Sequence, residues 1–505
     1  MRKNYFKSLM YAALLTATPF VATSCDDVIG QEDNPVASYI QWDASTPNEV
    51  TVKIGATFNV KAVAVSSAVI VYESENTEIA KVNPATGEVT AVGVGETNIN
   101  AVISGASSAG QSVFIPEKVS IKVIVKDKYV NVALADGVED QRIVTLDAKE
   151  LDLTKFFNVY PEKTDKFDNG LVYYVREVTA VDSKTKEETI ATTDFAYATI
   201  KDGKFKLNDD YNSDATVYVY AAINTAPDGY EIKKNDKKEE INNIAKFKVN
   251  IKKSIAYMDA KGERAILASD QYKELDLAKA DAIEAGTYFV TNGVSDNSKT
   301  IDIKGDVTLI FKNGYNSYLQ NFDDKTDNAT LNIFGEAIPG EKEGEYVAWN
   351  PSININSWGY VTNCITNFKE INIYAGILTT YGGIIVKDVN IYAGALYAYS
   401  NWSSNYAMKL SGKLTVNGGT VETRGQGSDP ETSFAVIGDV VLNKGSFYAY
   451  NDDYRAVKGT LTAATGFQFL EGATSDQEKA TAIEGTTSNS KYIWGQKVPE
   501  KKADK

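Results

Sequence analysis

The chain has 505 residues, a formal net charge of −15, two cysteines and no histidine. The missing histidine excludes Ser-His-Asp and Cys-His nucleophile pairs, histidine bases, HExxH sites and histidine-ligated zinc; carboxylate pairs, lysine or arginine bases and oxygen-ligated calcium stay open. The acidic balance argues against a nucleic-acid partner, and 43% hydrophobic residues is ordinary for globular domains.

Met1, Arg2, Lys3 and Lys7 make a basic start, and Phe6 to Ala22 is then apolar and nearly uncharged. This run is short for a membrane span and suits a signal peptide over residues 1–24. Val21-Ala22-Thr23-Ser24-Cys25 resembles a bacterial lipobox, with Ala22 where leucine is usual, and Asp26-Asp27 resembles the acidic signal that sends some lipoproteins to the cell exterior. The resemblance implies lipidation at Cys25, a membrane partner held through that anchor, and an outer-membrane location facing outwards. Cleavage before Cys25 removes Arg2, Lys3 and Lys7 and takes the net charge from −15 to −18. Cys364 is then the one other cysteine, so no disulfide framework is expected. Residues 25–38, with Gly30, Asn34 and Pro35, read as a tether.

From residue 39 to 126 short strands alternate, as in Thr51-Val52-Lys53-Ile54 and Phe58-Asn59-Val60-Lys61. Asn83-Pro84 and Gly87 turn the chain, Gly93 and Gly95 break the next pair, and Ile79, Val82, Val89 and Ile99 are candidate core residues. Ser74-Glu75-Asn76 through Ala80-Lys81-Val82, then Gly87-Glu88-Val89-Thr90-Ala91-Val92-Gly93, resembles the group 2 bacterial immunoglobulin-like (BIG2) domain. The resemblance implies a β-sandwich, often a spacer in surface proteins and adhesins.

Residues 128–254 repeat the pattern loosely. Strands are expected at 172–175, 195–200, 204–207, 216–220 and 247–251, with Asp202-Gly203 as a turn and Lys233 to Glu240 as a solvated loop. This segment reads as a second, divergent immunoglobulin-like sandwich. Residues 269–285 read as an amphipathic helix, capped at Ser269 or Asp270 and ended by Gly286, which would cover the end of the next domain.

From residue 287 the chain carries repeats, and the domain they build, with its N-terminal cap, is read over 255–495. Four ungapped copies begin at Ile371, Val389, Leu414 and Val440, spaced 18, 25 and 26 residues apart, each with two short strands around a glycine. Weaker rungs begin near Ile301, Val307, Leu331, Ile353 and Leu461. The copies, with the entry stretch Ala285 to Val290 and Gly305 to Phe311, resemble right-handed parallel β-helix repeats of bacterial surface and carbohydrate-binding proteins. The fold class expected is therefore all-β: two immunoglobulin-like β-sandwiches followed by a right-handed parallel β-helix (β-solenoid), with a charged tail at 496–505.

Period-two alternation turns Ile371, Val389, Leu414 and Val440 inwards, with Ile373, Ile391, Val416 and Leu442 beside them, and Leu378, Leu396, Val421 and Phe447 in a third column. Outward columns hold Thr379, Tyr397, Glu422 and Tyr448, and Tyr381, Tyr399, Arg424 and Tyr450. With Trp402, Tyr406 and Tyr454 in adjoining loops, this makes an aromatic face. Tyr381, Tyr397, Tyr399, Trp402, Glu422, Arg424, Tyr448 and Tyr450 are the candidate ligand-binding residues. Flat rings offer apolar area to sugar faces, although tyrosine also stacks along sheets with no ligand.

The expected function is a non-enzymatic surface lipoprotein, an adhesin or glycan binder, whose partner is a polysaccharide or a host surface glycan or protein. No catalytic residue, metal site or cofactor is assigned. One alternative is a calcium-dependent polysaccharide lyase, using Arg424 or Arg455 with Asp439, Asp452 and Asp453, although Asp452-Asp453 reads foremost as a turn and Asp323-Asp324 as a loop. The other alternative is a structural surface component without a small ligand.

Overall fold

The computed structural model describes residues 39–64, 68–107, 117–295, 298–356, 363–401, 404–427, 429–479, 481–483 and 490–497. The leader, the tether with Cys25, and Trp402 lie outside the described residues. Among those described the chain is all-β, with three short 3-10 turns and no α-helix. It divides into two compact units, one of residues up to 130 together with 228–231, the other of 131–227 and 232 onward.

The first unit places a four-stranded sheet (Glu49–Lys53, Lys118–Lys126, Gly95–Ser107, Ala68–Ser74) beside a three-stranded one (Thr57–Asn59, Glu88–Ala91, Ala80–Val82). Alternation builds its core: Ile121, Val123 and Val125 of one strand are buried with Val60, Val89, Ile99 and Ile103. Val89 and Ile99 are core residues as expected, while Ile79 and Val82 pack half-buried at its margin. The turn after Asn83 is held by its Oδ1, which accepts from the Ala85 and Thr86 amides. Gly87 closes it with φ of 74°, and a Cβ there would lie 2.2 Å from the Val60 carbonyl oxygen.

Residues 131–254 form five-stranded and three-stranded sheets. Gln141–Val144 pairs parallel with the closing strand Ile244–Lys252, as Glu49–Lys53 pairs parallel with Lys118–Lys126 in the first unit. Two expectations change here. The strand placed at 195–200 is confined to Ala198–Lys201, because Phe195 is buried against the edge of Tyr211. The charged segment 233–240 carries a small exposed hairpin, Lys233–Lys234 with Glu240–Ile241.

The rest of the second unit is built on three parallel ladders. The first runs through Lys273–Asp276, residues 286–290, 307–311, Thr330–Gly335, Glu370–Ile373, Asp388–Ile391, residues 414–416, 440–442 and Leu461–Ala463. The second runs through Ser317–Leu319, Ser352–Asn356, Ile377–Tyr381, Ala395–Tyr399, Thr420–Gly425 and Ser446–Asn451. The third runs through residues 282–284, 300–303, Asn321–Asp324, Asn363–Thr366, Gly383–Val386, residues 406–410, 434–437 and Val457–Lys458. From Glu370 onward the chain visits first, second and third ladder in turn.

The inward columns fall in register as expected. Ile371, Val389, Leu414 and Val440 are partners along the first ladder, as are Ile373, Ile391, Val416 and Leu442, and all are buried in one core. Leu378, Leu396, Val421 and Phe447 form the buried column of the second ladder. The repeat glycines Gly394, Gly419 and Gly445 have φ between 67° and 96°, and a Cβ on each would come within 2.4 Å of the carbonyl oxygen of the glycine one rung earlier. Close approach and the left-handed backbone both require glycine there. Asp306, Asp388 and Asp439, each directly before an inward first-ladder residue (Val307, Val389 and Val440), accept the backbone N–H of the corresponding residue one rung on: Thr330 at 2.7 Å, Lys413 at 2.9 Å and Thr460 at 2.8 Å.

The helix expected over 269–285 is absent. Lys273–Asp276 and residues 282–284 are strands that pair parallel with the following rungs, and Asp276 Oδ1 turns the chain by accepting the Ala278 amide. Leu277 and Ile283 are buried as the first layer of the ladder core. Tertiary pairing outweighs a weak local preference.

Candidate functional site

The outward columns of the second ladder come together as the alternation implied. Because each strand buries Leu378, Leu396, Val421 or Phe447, its immediate neighbours must face outwards. Thr379, Tyr397, Glu422 and Tyr448 are register partners, as are Tyr381, Tyr399, Arg424 and Tyr450. Rungs in such a ladder stack about 4.8 Å apart, so four rungs give a face of adjacent rings. Tyr381 is 45% exposed, Tyr397, Tyr399, Glu422, Arg424, Tyr448 and Tyr450 are half-buried, and Thr379 is covered by its neighbours.

The face extends further than the repeats indicated. Ser446–Asn451 pairs antiparallel with Tyr492–Lys497, which sets Trp494 opposite Tyr448 and Tyr492 opposite Tyr450. Tyr448 and Trp494 stack with centroids 5.6 Å apart, Tyr450 and Tyr492 at 6.0 Å, and Tyr381 and Tyr399 at 5.4 Å. Tyr492 and Trp494 were not among the expected residues. Their alternation around the buried Ile493 was a usable signal, but the reversed strand direction hid it from a parallel-repeat search. Two expected neighbours lie elsewhere. Tyr406 starts the strand Tyr406–Val416, whose first part, residues 406–410, is in the third ladder, rather than lying in a loop, and Tyr454 packs its edge on Phe434. Trp402 lies outside the described residues.

Charges sit among the rings. The Tyr399 hydroxyl donates to Glu422 Oε1 at 3.3 Å. Arg424 Nη2 donates to Asp452 Oδ2 at 2.6 Å, its guanidinium lies 5.2 Å from the Tyr450 centroid, and its buried Nε has no hydrogen-bond partner. Burial, and then the neighbouring Glu422 carboxylate, hold the Tyr399 phenol well above the ordinary tyrosine range. Burial, with Tyr450 next, pushes Tyr448 up to about 12. Burial also raises Tyr450, against the opposing pull of Arg424. The hydrogen bond to Asp452 raises Arg424 despite burial. At neutral pH Tyr399, Tyr448 and Tyr450 therefore present neutral hydroxyls, and Arg424 a firmly cationic guanidinium.

Of the acidic residues weighed for catalysis, Asp452, Asp439 and Asp323 have other partners and Asp453 lies in a turn. Asp452 is paired with Arg424, Asp453 belongs to a turn closed by Asn451 Oδ1, and Asp439 accepts the Thr460 amide. Asp323, within the strand Asn321–Asp324 rather than a loop, accepts from Thr366 Oγ1 and Asn367 Nδ2. Burial pushes its carboxyl up, but these bonds and the Lys325 ammonium outweigh it and leave it low. Among the described residues no three acidic or cysteine side chains converge as a metal site. Cys364 is buried, and its Sγ donates to the Ile355 carbonyl oxygen. No described helix is long and apolar enough to cross a membrane.

Residues 44–111 match the model of the bacterial Ig-like domain (group 2), so the first unit contains an Ig-like domain. No curated protein matches the chain. Among solved structures, human protocadherin-24 EC1-2 is 14% identical, covering 42% of this chain and 96% of that one with a TM-score of 0.24. The human desmocollin-1 ectodomain is 9% identical, covering 50% of this chain and 46% of that one, with a TM-score of 0.25. The three N-terminal domains of the bacteriophage RB49 Highly Immunogenic Outer Capsid protein are 11% identical, covering 42% and 70%, with a TM-score of 0.19.

Proposed function

We propose that the chain is a non-catalytic, lipid-anchored protein of the outer cell surface that binds glycan through the aromatic face of the second ladder. In this reading the three ladders are the faces of a right-handed parallel β-helix, residues 128–254 are a second immunoglobulin-like sandwich, and the two sandwiches space the binding domain from Cys25 along the chain. The observation that carries it is the register itself: Tyr381, Tyr399, Arg424 and Tyr450 occupy one column, with Tyr397, Glu422 and Tyr448 in the next. Aromatic faces offer apolar area to sugar rings, and Glu422, Arg424 and the neutral tyrosine hydroxyls supply hydrogen bonds that fix orientation. The firmly protonated Arg424 is unsuited to act as a base, which disfavours the lyase reading.

Ring stacking for stability alone is the competing reading, favoured at one end by Trp494, which is only 7% exposed. A glycan array with the full chain and its Tyr399→Ala and Tyr450→Ala variants separates the two. Glycan binding reduced in both variants supports the proposal; glycan retention unchanged in both overturns it.

A further inference from the structure

The second compact unit holds a cavity of about 560 Å³ away from the aromatic face. It is lined by Arg264, Lys312, Glu336, Phe289 and Tyr346, with Ser254 and Leu146 at the sandwich side. Its size falls within the roughly 300–1,000 Å³ of small-molecule sites. The wall carrying Tyr346 is a hairpin, Ala337–Pro339 with Tyr346–Ala348, inserted between a first-ladder strand and the next second-ladder strand.

Arg264 is the unusual member. It opens the strand Arg264–Ala268, opposite Met258, and its guanidinium lies 4.5 Å from the Tyr346 ring centroid. Its Nε is buried with no hydrogen-bond partner, and its guanidinium makes no ion pair with the described residues. A neighbouring cation, Lys253, is already paired with Glu274 at 2.6 Å, whereas Lys312 has no ion pair among the described residues and lies 5.8 Å from the Tyr315 ring centroid. Glu336 receives the Asn313 amide at 2.7 Å and keeps further acceptor capacity. The cavity thus presents an unpaired guanidinium, a second cation, a carboxylate acceptor and two aromatic walls.

We propose that this cavity binds an acidic sugar, a monosaccharide bearing a carboxylate. The guanidinium fork takes the carboxylate, with Lys312 adding charge. Glu336 accepts from ring hydroxyls, and Tyr346 and Phe289 cover the apolar sugar face. A carboxylate anion satisfies the buried Nε, which otherwise bears an uncompensated desolvation cost. The site is independent of the aromatic face.

The test is calorimetric titration of the full chain with glucuronate, galacturonate and N-acetylneuraminate, against glucose, galactose and acetate. Binding of at least one acidic sugar, weakened about tenfold or more in Arg264→Ala and also in Arg264→Lys, is expected. Thermal melts of both variants check that they fold, and Tyr346→Ala supplies a second variant outside the charge set. Binding to Tyr399→Ala as tight as to the parent chain keeps this site distinct from the aromatic face. Equal affinity for the neutral sugars, binding of acetate as tight as the sugar acids, no binding by any acidic sugar, or undiminished binding in a folded Arg264→Ala chain overturns the proposal.

Discussion

Tyr399 and Glu422 lie in neighbouring columns on adjacent rungs of the second ladder, and the phenol donates to the carboxylate at 3.3 Å. This bond sets one polar contact inside a run of stacked rings. It also ties the protonation of the face to its folding.

Tyrosines with raised folded-state values contribute stability that is complete below the unfolded value and is lost as pH rises through the folded one. Tyr448 and Tyr374 are both held up to about 12 from an ordinary value of 10.0, each mainly by burial. Denaturant unfolding is therefore expected to show no tyrosine-linked change below about pH 10 and a progressive loss between about 10 and 12. Glu422→Gln lowers the Tyr399 midpoint in a spectrophotometric titration but leaves it above the ordinary value, because burial is the larger cause.

Gly394→Ala is expected to destabilise by about 2 kcal/mol or more, since its Cβ would meet the Gly376 carbonyl oxygen at 2.1 Å on a backbone with φ of 76°. Gly314→Ala shares the left-handed backbone, with φ of 86°, but meets nothing within 4 Å, so only the conformational cost of about 1 kcal/mol applies. Urea midpoints of the two variants compare them directly.

Phe447 is buried in the second-ladder column and meets the edge of Phe469 at 5.8 Å. Phe447→Ala is expected to cost about 3–5 kcal/mol, and Ile391→Val about 0.5–1.5 kcal/mol. Equal losses from the two in denaturant unfolding would contradict a closely packed ladder core.

Asp388 accepts the Lys413 amide one rung on. Asp388→Ala leaves that amide without its acceptor and is expected to cost about 1 kcal/mol, whereas Asp388→Asn keeps an acceptor and costs less. Amide hydrogen exchange at Lys413 reads the effect locally.

Cys25→Ala is expected to release the protein from the membrane fraction, because a cysteine thiolate is the proposed lipid attachment point. Continued membrane retention in that variant would count against the anchor.

The sequence by itself determined the alternation in the repeats. Hydrophobic residues two apart must share a face, so the columns of Ile371, Ile373 and Leu378, and the opposing tyrosine columns, were legible from spacing alone. It also determined the Asn83 to Gly87 turn, where side-chain capping and a left-handed glycine are local properties. Only the tertiary structure decided the third ladder. Its strands, such as Gly383–Val386, are short and lie at uneven distances from the repeat copies, and their identity comes from partners one rung away. The same holds for residues 269–285, where helical spacing lost to strand pairing, and for Trp494, whose antiparallel strand is set by what it must cover. The meeting of Arg264 with Tyr346 was likewise beyond sequence reading, because it depends on a hairpin folding back against a strand more than 70 residues earlier. Local chemistry writes its signal at fixed short spacings; contacts made across rungs and insertions have no fixed spacing to read.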